Sequence, residues 1–318
     1  MGRDLIGDAL IKLPFLRALR NAFPTAEIHW ITSQGPTAYA SALRKATSSL
    51  ITQVHEQPAW LATAEKPQTV MAAPWFDLVI DTRNRWREAI FARYIPHGLF
   101  LAMAMRFLFS EKHPNFFEPR PVHMVDRLLQ MVELVAGYKP PFTGTLAVPD
   151  DIMQKAQQIL PDGPVYIGLA PGAGNRDKIW PRYKFEKLAE LQAAKKYIPV
   201  FILGPQELSW YDELSSNIPT AKFPLQDYDI WGTAQLTIDH TLAIAGRLNI
   251  AVANDSGVGH MLAAADCRLI SLFGPTSPEK LAPRVSRGKI IRASDFGETH
   301  MKAIPWEVVD RAVDEMLK

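Results

Sequence analysis

The sequence is short of cysteine and of net charge, and each shortage excludes a class of protein. Cys267 stands alone, so the chain has no internal disulfide and suits a reducing compartment. A formal net charge of +2 gives no overall field for binding nucleic acid. We therefore expect a cytoplasmic protein that has no nucleic-acid partner.

Long hydrophobic runs are also missing. The stretch nearest to a membrane span is 90–109, where Arg93, Pro96 and Arg106 interrupt the roughly 20 apolar residues that a span requires. Residues 1–24 carry charges throughout, which a secretory signal would not. We expect the stretch 90–109 to form core, with docking at a bilayer surface as the alternative.

The order of apolar and helical segments predicts an α/β fold in two domains. A chain of 318 residues exceeds one ordinary core. In its second half, short apolar runs alternate with segments of helical spacing, which is typical of a parallel sheet covered on both faces. The predicted strands of this half are 165–170, 199–204, 249–254 and 268–274.

The first half repeats this pattern less cleanly. We predict a helix over about 7–22, another after Pro36, and further helices after residue 81. Predicted strands lie at 27–32, 50–55 and 76–81. The Pro, Gly and Thr residues of 137–151 favour an irregular connection. The predicted domains are therefore two Rossmann-like halves, 1–148 and 149–318.

The most specific motif follows the predicted strand 249–254. Asp255, Ser256 and Gly257 come directly after it, at the strand end where open α/β sheets bind ligands, and His260 lies in the helix that follows. The N–H groups and positive dipole end of that helix suit a diphosphate. The alternative is that Asp255 and Ser256 merely cap the helix.

A second motif follows the predicted strand 165–170. Gly172, Ala173 and Gly174 form a small-residue loop whose N–H groups can approach an anion closely, and Lys178 adds a positive charge. Neither a Gly-x-x-x-x-Gly-Lys-Ser/Thr loop nor a Gly-x-Gly-x-x-Gly fingerprint occurs, which disfavours kinases and dinucleotide-dependent dehydrogenases. Taken alone, a lysine such as Lys178 is more often solvated than a ligand of a phosphate.

Two features of the first half remain open on the residues alone. Asp8 follows a glycine at the start of a predicted helix, where a capping carboxylate is common. An arginine cluster is opposed within its own segment only by Glu88, which suits either an anionic ligand or a solvated helix face. The cluster comprises Arg83, Arg85, Arg87, Arg93 and Arg106.

Together these motifs resemble glycosyltransferase family 9, which contains the lipopolysaccharide heptosyltransferases, and the resemblance spans nearly the whole chain. That family shares a Gly-Asp helix with Leu-Pro and Phe-Pro, a Pro-Gly loop leading to Lys-x-Trp-Pro, an Asp-Ser-Gly-x-x-His motif, and Phe-Gly-Pro-Thr. The matching positions are Gly7-Asp8, Leu13-Pro14, Phe23-Pro24, Pro171-Gly172, Lys178 to Pro181, Asp255 to His260, and Phe273 to Thr276.

The resemblance implies a GT-B fold of two Rossmann-like domains facing a cleft, in which the terminal helix can pack back on domain 1. It implies that Asp8 is the catalytic base. A nucleoside-diphosphate sugar such as ADP-heptose would be bound by residues 172–174, Lys178, Asp255 to Gly257 and His260. An anionic glycolipid acceptor would be bound by Arg83, Arg85 and Arg87. Transfer would invert the anomeric configuration. No Asp-x-Asp motif is placed like a metal clamp, so we expect no metal and no further cofactor.

Two alternatives stay open at this stage. One is a non-catalytic protein that binds a nucleotide sugar or glycan, and the other is a nucleotide-sugar epimerase. In the family, an apolar central strand precedes the Gly-Asp motif, whereas Gly2, Arg3 and Asp4 suit a buried strand poorly. We expect the reading frame to continue upstream by roughly six apolar residues, and the 318-residue form to be poorly soluble or weakly active.

Overall fold

The computed structural model describes residues 6–33, 35–62, 70–115, 117 and 119–318. The chain divides into two compact units, Met1–Phe142 and Thr143–Lys318. The division thus falls slightly before the predicted boundary at residue 148, at the amino-terminal side of the same Pro-, Gly- and Thr-rich connection.

The described residues contain parallel strands that alternate with helices in both units. The strands are β1 His29–Thr32, β2 Gln53–Glu56, β3 Phe76–Asp81, β4 His97–Ala102, β5 Tyr166–Ala170, β6 Ile198–Phe201, β7 Ile250–Asn254, β8 Leu269–Phe273 and β9 Gly288–Arg292.

The α-helices are α1 Ile6–Ile11, α2 Leu13–Ala22, α3 Ala59–Ala62, α4 Trp86–Ala92, α5 Met124–Ala136, α6 Asp150–Ile159, α7 Arg182–Ala194, α8 Tyr211–Asn217, α9 Tyr228–Trp231, α10 Ile238–Ala245, α11 Gly257–Ala264, α12 Pro278–Leu281 and α13 Trp306–Leu317. Short 3-10 turns lie at Ala38–Ala40, Ala104–Phe107, Arg176–Lys178, Leu208–Trp210, Pro224–Gln226, Ala293–Phe296 and Met301–Ala303.

The second unit is built on a five-stranded parallel sheet of order β6-β5-β7-β8-β9. Every residue of β5, β7 and β8 is buried, because helices cover both faces of the sheet and each face has its own apolar cluster. The four predicted strands of this half are confirmed. Strand β9 was not predicted, because it is an edge strand whose charged residues Lys289 and Arg292 hide its apolar pattern.

The closing helix α13 packs on the sheet of the second unit. Val309, Ala312 and Val313 are buried in its apolar cluster. Lys195, just after α7, donates to Asp310 at 2.7 Å and to Asp314 at 2.9 Å. These contacts fix α13 against α7 and the sheet of its own unit.

The described residues of the first unit form two separate pairs of parallel strands, β1-β2 and β3-β4. Among the described residues, β1 and β3 each pair along one edge only. A cavity of about 1040 Å³ lies between them, and α1 and α2 also contribute to its wall. The sequence predicts that the first strand of domain 1 is missing; this concerns residues 1–6, of which 1–5 lie outside the described residues, so it stays a prediction.

Two sequence predictions for the first unit are wrong. The segment after Pro36 forms a short 3-10 turn and further turns instead of an α-helix. Its hydroxyl groups bond to nearby carbonyls, as in Thr47 to Leu43 and Ser48 to Lys45, both at 2.8 Å, and such bonds compete with a regular helix.

The other wrong prediction is that only helices follow residue 81. Strand β4 lies there, within the apolar stretch 90–109, and it pairs with β3. Short apolar runs do not distinguish a buried strand from a buried helix by periodicity. The stretch is mostly core, since Phe100 to Ala104 and Phe107 are buried, whereas Met105 and Leu108 are exposed. Among the described helices none is both long and apolar enough to cross a membrane.

Candidate functional site

The carboxyl ends of β5, β7 and β8 bring three loops of the second unit together. Lys178, in the loop after β5, donates from Nζ to Oδ2 of Asp255 after β7 at 2.7 Å. Thr276, after β8, donates from Oγ1 to the same carboxylate oxygen at 2.6 Å. The parallel sheet aligns these strand ends at one edge, which is where open α/β sheets bind ligands. The predicted proximity of Lys178 to the Asp-Ser-Gly turn is thus observed.

The geometry of this turn does not fit simple helix capping. Asp255 uses its carboxylate for Lys178 and Thr276, so it is not simply a helix cap. Ser256 stands at the N-cap position of α11, but its side chain makes no capping bond, and its Oγ is buried without a partner among the described residues. Lys178 is about a quarter exposed and ion-paired, so it is not a freely solvated lysine.

The small-residue loop after β5 lies against a carboxylate that the sequence analysis missed. A Cβ on Gly172 would lie 2.5 Å from the carboxyl carbon of Glu207, so a larger residue fits there only if that carboxyl shifts. Glu207 is 7% exposed, and its Oε2 accepts from the Gly204 N–H at 3.1 Å. Ala173 is buried and Gly174 is exposed. The available signal was an acidic residue three positions after the glycine that ends an apolar strand segment, in Gly-Pro-Gln-Glu.

The environment of Glu207 favours its neutral form. Burial raises the pKa of this carboxyl above its usual value, and the N–H groups of Gly204 and of Glu207 itself oppose the rise only in part. A carboxylate at this place can accept hydrogen bonds from hydroxyl groups of a ligand.

The remaining predicted residues of the second unit lie in the first turn of α11. Gly257 is exposed, with open space where a side chain would project. His260 is half-buried, and its backbone N–H donates to the Ser256 carbonyl at 3.4 Å. Thus α11 begins at the Lys178–Asp255 pair, and its first N–H groups are at the same end of the sheet.

In the first unit, the structure brings three of the four predicted residues to one cavity. Asp8 is exposed in the first turn of α1 and lines the cavity between β1 and β3 together with Arg83 and Arg85. As the third residue of α1, Asp8 does not occupy the N-cap position. Arg87 does not line this cavity, and its guanidinium lies over the Trp86 ring at 5.2 Å from the centroid.

The arginine cluster is more neutralised than the sequence predicted. Arg83 donates from Nε to Asp81 at 2.8 Å and from Nη1 to Ser33 at 2.8 Å. Arg85 pairs with Glu88 at 3.3 Å. The prediction counted only Glu88 because Asp81 lies just before the segment, at the end of β3.

Arg93 shows the same effect, because it pairs at 3.2 Å with Glu111, which follows β4 along the chain. In the part of the chain that the structure describes, no group of three or more His, Cys, Asp or Glu residues could hold a metal ion.

Comparison with known proteins shows which family the chain belongs to. Residues 70–305 match glycosyltransferase family 9 (heptosyltransferase), and the chain belongs to that family. It is therefore a glycosyltransferase, with the α/β fold of the GT-B type. The family resemblance and the fold class predicted from the sequence are confirmed.

Curated relatives and solved structures agree with this assignment. Lipopolysaccharide heptosyltransferase 3 of Escherichia coli K12 is 24% identical over 287 residues, which cover 85% of this chain and 80% of the relative. Lipooligosaccharide heptosyltransferase 2 of Haemophilus influenzae is 29% identical over 140 residues, but these cover only 44% of this chain and 39% of the relative. The crystal structure of E. coli heptosyltransferase WaaC with ADP superposes with a TM-score of 0.70 at 21% identity, covering 99% of this chain and 98% of that one.

Proposed function

We propose that this protein transfers a heptose-like sugar from a nucleoside-diphosphate donor, ADP-heptose, to the core of a lipopolysaccharide or a related glycan acceptor, with inversion of the anomeric centre. The observation that carries the proposal is the joining of Lys178, Asp255 and Thr276 at the strand ends of the second unit. The donor, the acceptor and the stereochemistry are all parts of this proposal.

The donor side needs groups that stabilise the charge on a departing diphosphate. Lys178 supplies a cation that Asp255 holds in place. The first N–H groups of α11, the Ser256 hydroxyl and the N–H groups of residues 172–174 are further donors at the same edge. In this proposal these groups carry the charge, so no metal is required. Glu207, beside Gly172, suits the hydroxyl groups of a ribose.

The acceptor side needs a base. In the proposal Asp8 takes the proton from an acceptor hydroxyl, the oxygen bonds to the anomeric carbon, and the bond from that carbon to the diphosphate oxygen breaks. A single displacement of this kind inverts the anomeric centre. Asp81 and Ser33 hold Arg83 in one orientation for an anionic group of the acceptor, and Arg85 and Arg87 provide further positive charge.

The relatives support this choice of substrates. The E. coli structure was determined with ADP, and the curated relatives are heptosyltransferases of lipopolysaccharide or lipooligosaccharide. An anionic glycolipid acceptor would place the protein at the cytoplasmic face of the inner membrane, in peripheral contact with it.

The test begins with a thermal-shift screen of nucleoside diphosphates and nucleotide sugars against the purified chain. The donor that binds is then incubated with a lipopolysaccharide-core acceptor, and mass spectrometry follows the products. We expect a glycosylated acceptor and free nucleoside diphosphate. Binding of the donor with neither transfer nor hydrolysis would favour the binding-protein alternative, and an epimerised donor would favour the epimerase.

A further inference from the structure

Asn254, the last residue of β7, has a side-chain amide that is bonded at both ends. It is 1% exposed. Its Nδ2 donates to the Pro171 carbonyl at 2.7 Å, and its Oδ1 accepts from the Trp180 N–H at 3.1 Å. Both partners are backbone groups of the segment that follows β5.

These two bonds anchor both ends of the segment 171–180 to Asn254. Pro171 is its first residue, and Trp180 follows Lys178 by two positions. The segment between them contains the small-residue loop and the lysine that pairs with Asp255. The Trp180 ring is fully buried and its indole N–H donates to Ile304 at 3.0 Å, so the end of the segment is anchored on both the backbone and the side chain.

The sheet itself does not hold this segment. Pairing between β5 and β7 ends at Ala170 and Ala253, so Pro171 and Asn254 are the first positions beyond it. Proline has no N–H and offers only its carbonyl, which needs a donor, whereas the Trp180 N–H needs an acceptor. An asparagine amide supplies one of each. An aspartate would supply acceptors only and would oppose the Pro171 carbonyl.

We infer that Asn254 is a positioning residue for the donor site. By fixing both ends of the segment 171–180 it keeps Lys178 Nζ at Asp255 and keeps the loop N–H groups arranged for the diphosphate. This inference rests on the proposed function, because that function assigns diphosphate binding to the segment. Groups held in advance by surrounding hydrogen bonds bind more tightly than groups that must be ordered by the ligand.

Asn249 provides a matched control. It precedes β7 at the opposite end, and its Oδ1 accepts from the Tyr166 N–H of β5 at 2.8 Å. Asn249 therefore joins the start of β7 to the start of β5, whereas Asn254 joins the end of β7 to the segment that follows β5. Asn249→Ala removes such a bond far along the strand from the segment 171–180, so it reports the loss of stability without the loss of positioning.

The experiment measures ADP affinity by calorimetry in wild type, Asn254→Ala and Asn249→Ala, together with urea unfolding of each. We expect Asn254→Ala to bind ADP about ten- to hundredfold more weakly, the range known for loss of a group that orients a metal-binding residue, and Asn249→Ala to bind as wild type does. Equal affinity losses in the two variants would overturn the inference. A wild type that binds no nucleoside diphosphate would instead overturn the proposed function on which it rests.

A double-mutant cycle separates positioning from general loosening. In a Lys178→Ala background, Asn254→Ala is expected to weaken ADP binding much less than in wild type, because the residue it positions is already gone. Equal effects in both backgrounds would show that Asn254 does not act through Lys178.

Hydrogen exchange of the ligand-free protein supplies a readout that needs no nucleotide. We expect faster exchange of residues 172–180 in Asn254→Ala than in wild type, with unchanged protection of β6. Unchanged exchange of 172–180 would contradict the inference. If the alanine variant does not fold, Asn254→Ser, which is too short to reach both partners, serves for the same measurements.

Discussion

Lys178 is held by its bond to Asp255, and the contribution of Lys178 to ADP binding can be measured by substitution. Lys178→Ala should weaken ADP binding by about tenfold or more, since a charge-assisted hydrogen bond contributes roughly 1.5–3 kcal/mol. Lys187, which pairs with Glu190 on the exposed face of α7, provides the control. Calorimetry of Lys178→Ala and Lys187→Ala should show a loss only in the first. Wild-type affinity in Lys178→Ala would remove Lys178 from the donor site.

Asp8 belongs to the other unit, so its replacement should separate chemistry from donor binding. Asp8→Asn removes the proposed base without changing the size of the side chain. A positioned general base contributes about 100- to 10,000-fold in rate, and we expect kcat to fall within that range. ADP affinity should stay unchanged, because the donor groups lie in residues 143–318. Steady-state kinetics with a verified donor and acceptor would test this, and wild-type turnover would exclude Asp8 as the base.

Replacing Glu207 by glutamine should raise the free energy of unfolding and weaken the binding of ADP. Its pKa is raised by burial, so between its usual and its raised pKa the folded protein binds more protons than the unfolded one, and the free energy of unfolding falls as pH rises through that interval. Glu207→Gln removes the buried charge and keeps an acceptor for the Gly204 N–H. We expect the variant to be more stable than wild type at pH 7, with no gain in acid below both pKa values.

The same variant should bind ADP less tightly, because a neutral amide is a weaker acceptor for ribose hydroxyls than a carboxylate. Urea unfolding at the two pH values and calorimetry at pH 7 measure the two effects. A variant that is less stable at pH 7 would show that the Gly204 bond outweighs the cost of burying the charge.

At the scale of elements, the loop after β5 depends on the absence of a side chain at one glycine. Gly172→Ala would place a methyl group against the Glu207 carboxyl, and overpacking of this kind costs about 1–3 kcal/mol. Gly174→Ala meets nothing within 4 Å and should leave the free energy of unfolding nearly unchanged. Urea unfolding of both variants tests the contrast, and equal stabilities would mean that Glu207 moves aside without cost.

The elements also show what the sequence could predict. Strands β5, β7 and β8 were predicted because they are buried on both faces and read as continuous apolar runs between turn residues. The edge strand β9 and the strand β4 were missed, because charges or a neighbouring apolar helix conceal their pattern. A strand can be recognised from its sequence only if its hydropathy differs from that of the flanking residues, and for β4 and β9 this difference is small.

The candidate site was predictable only where one motif carries it. Asp255 and Lys178 stand in local motifs at strand ends and could be predicted, although the bond between them could not, because 77 residues separate them. The roles proposed for Glu207 and Asn254 depend on Gly172, Pro171 and Trp180, which are distant along the chain. The compensation of Arg83 by Asp81 was missed because the charge count stopped at the boundary of the segment.

At the scale of the whole molecule, every proposed donor-binding group lies in the unit Thr143–Lys318. That unit has a complete five-stranded sheet, and both faces of the sheet carry apolar clusters formed by its own residues, including those of α13. A stretch of this length with its own core has the features of an independently folding domain.

We therefore predict that residues 143–318, expressed alone, fold and bind ADP with the affinity of the full chain. The fragment should not glycosylate an acceptor, because Asp8 and the arginine cluster are absent from it. Circular dichroism, cooperative urea unfolding and calorimetry would check the first part, and mass spectrometry of the acceptor the second. The Lys178→Ala version of the fragment is the control for specific binding. A folded fragment that does not bind ADP, while the full chain does, would show that residues 1–142 contribute to the donor site.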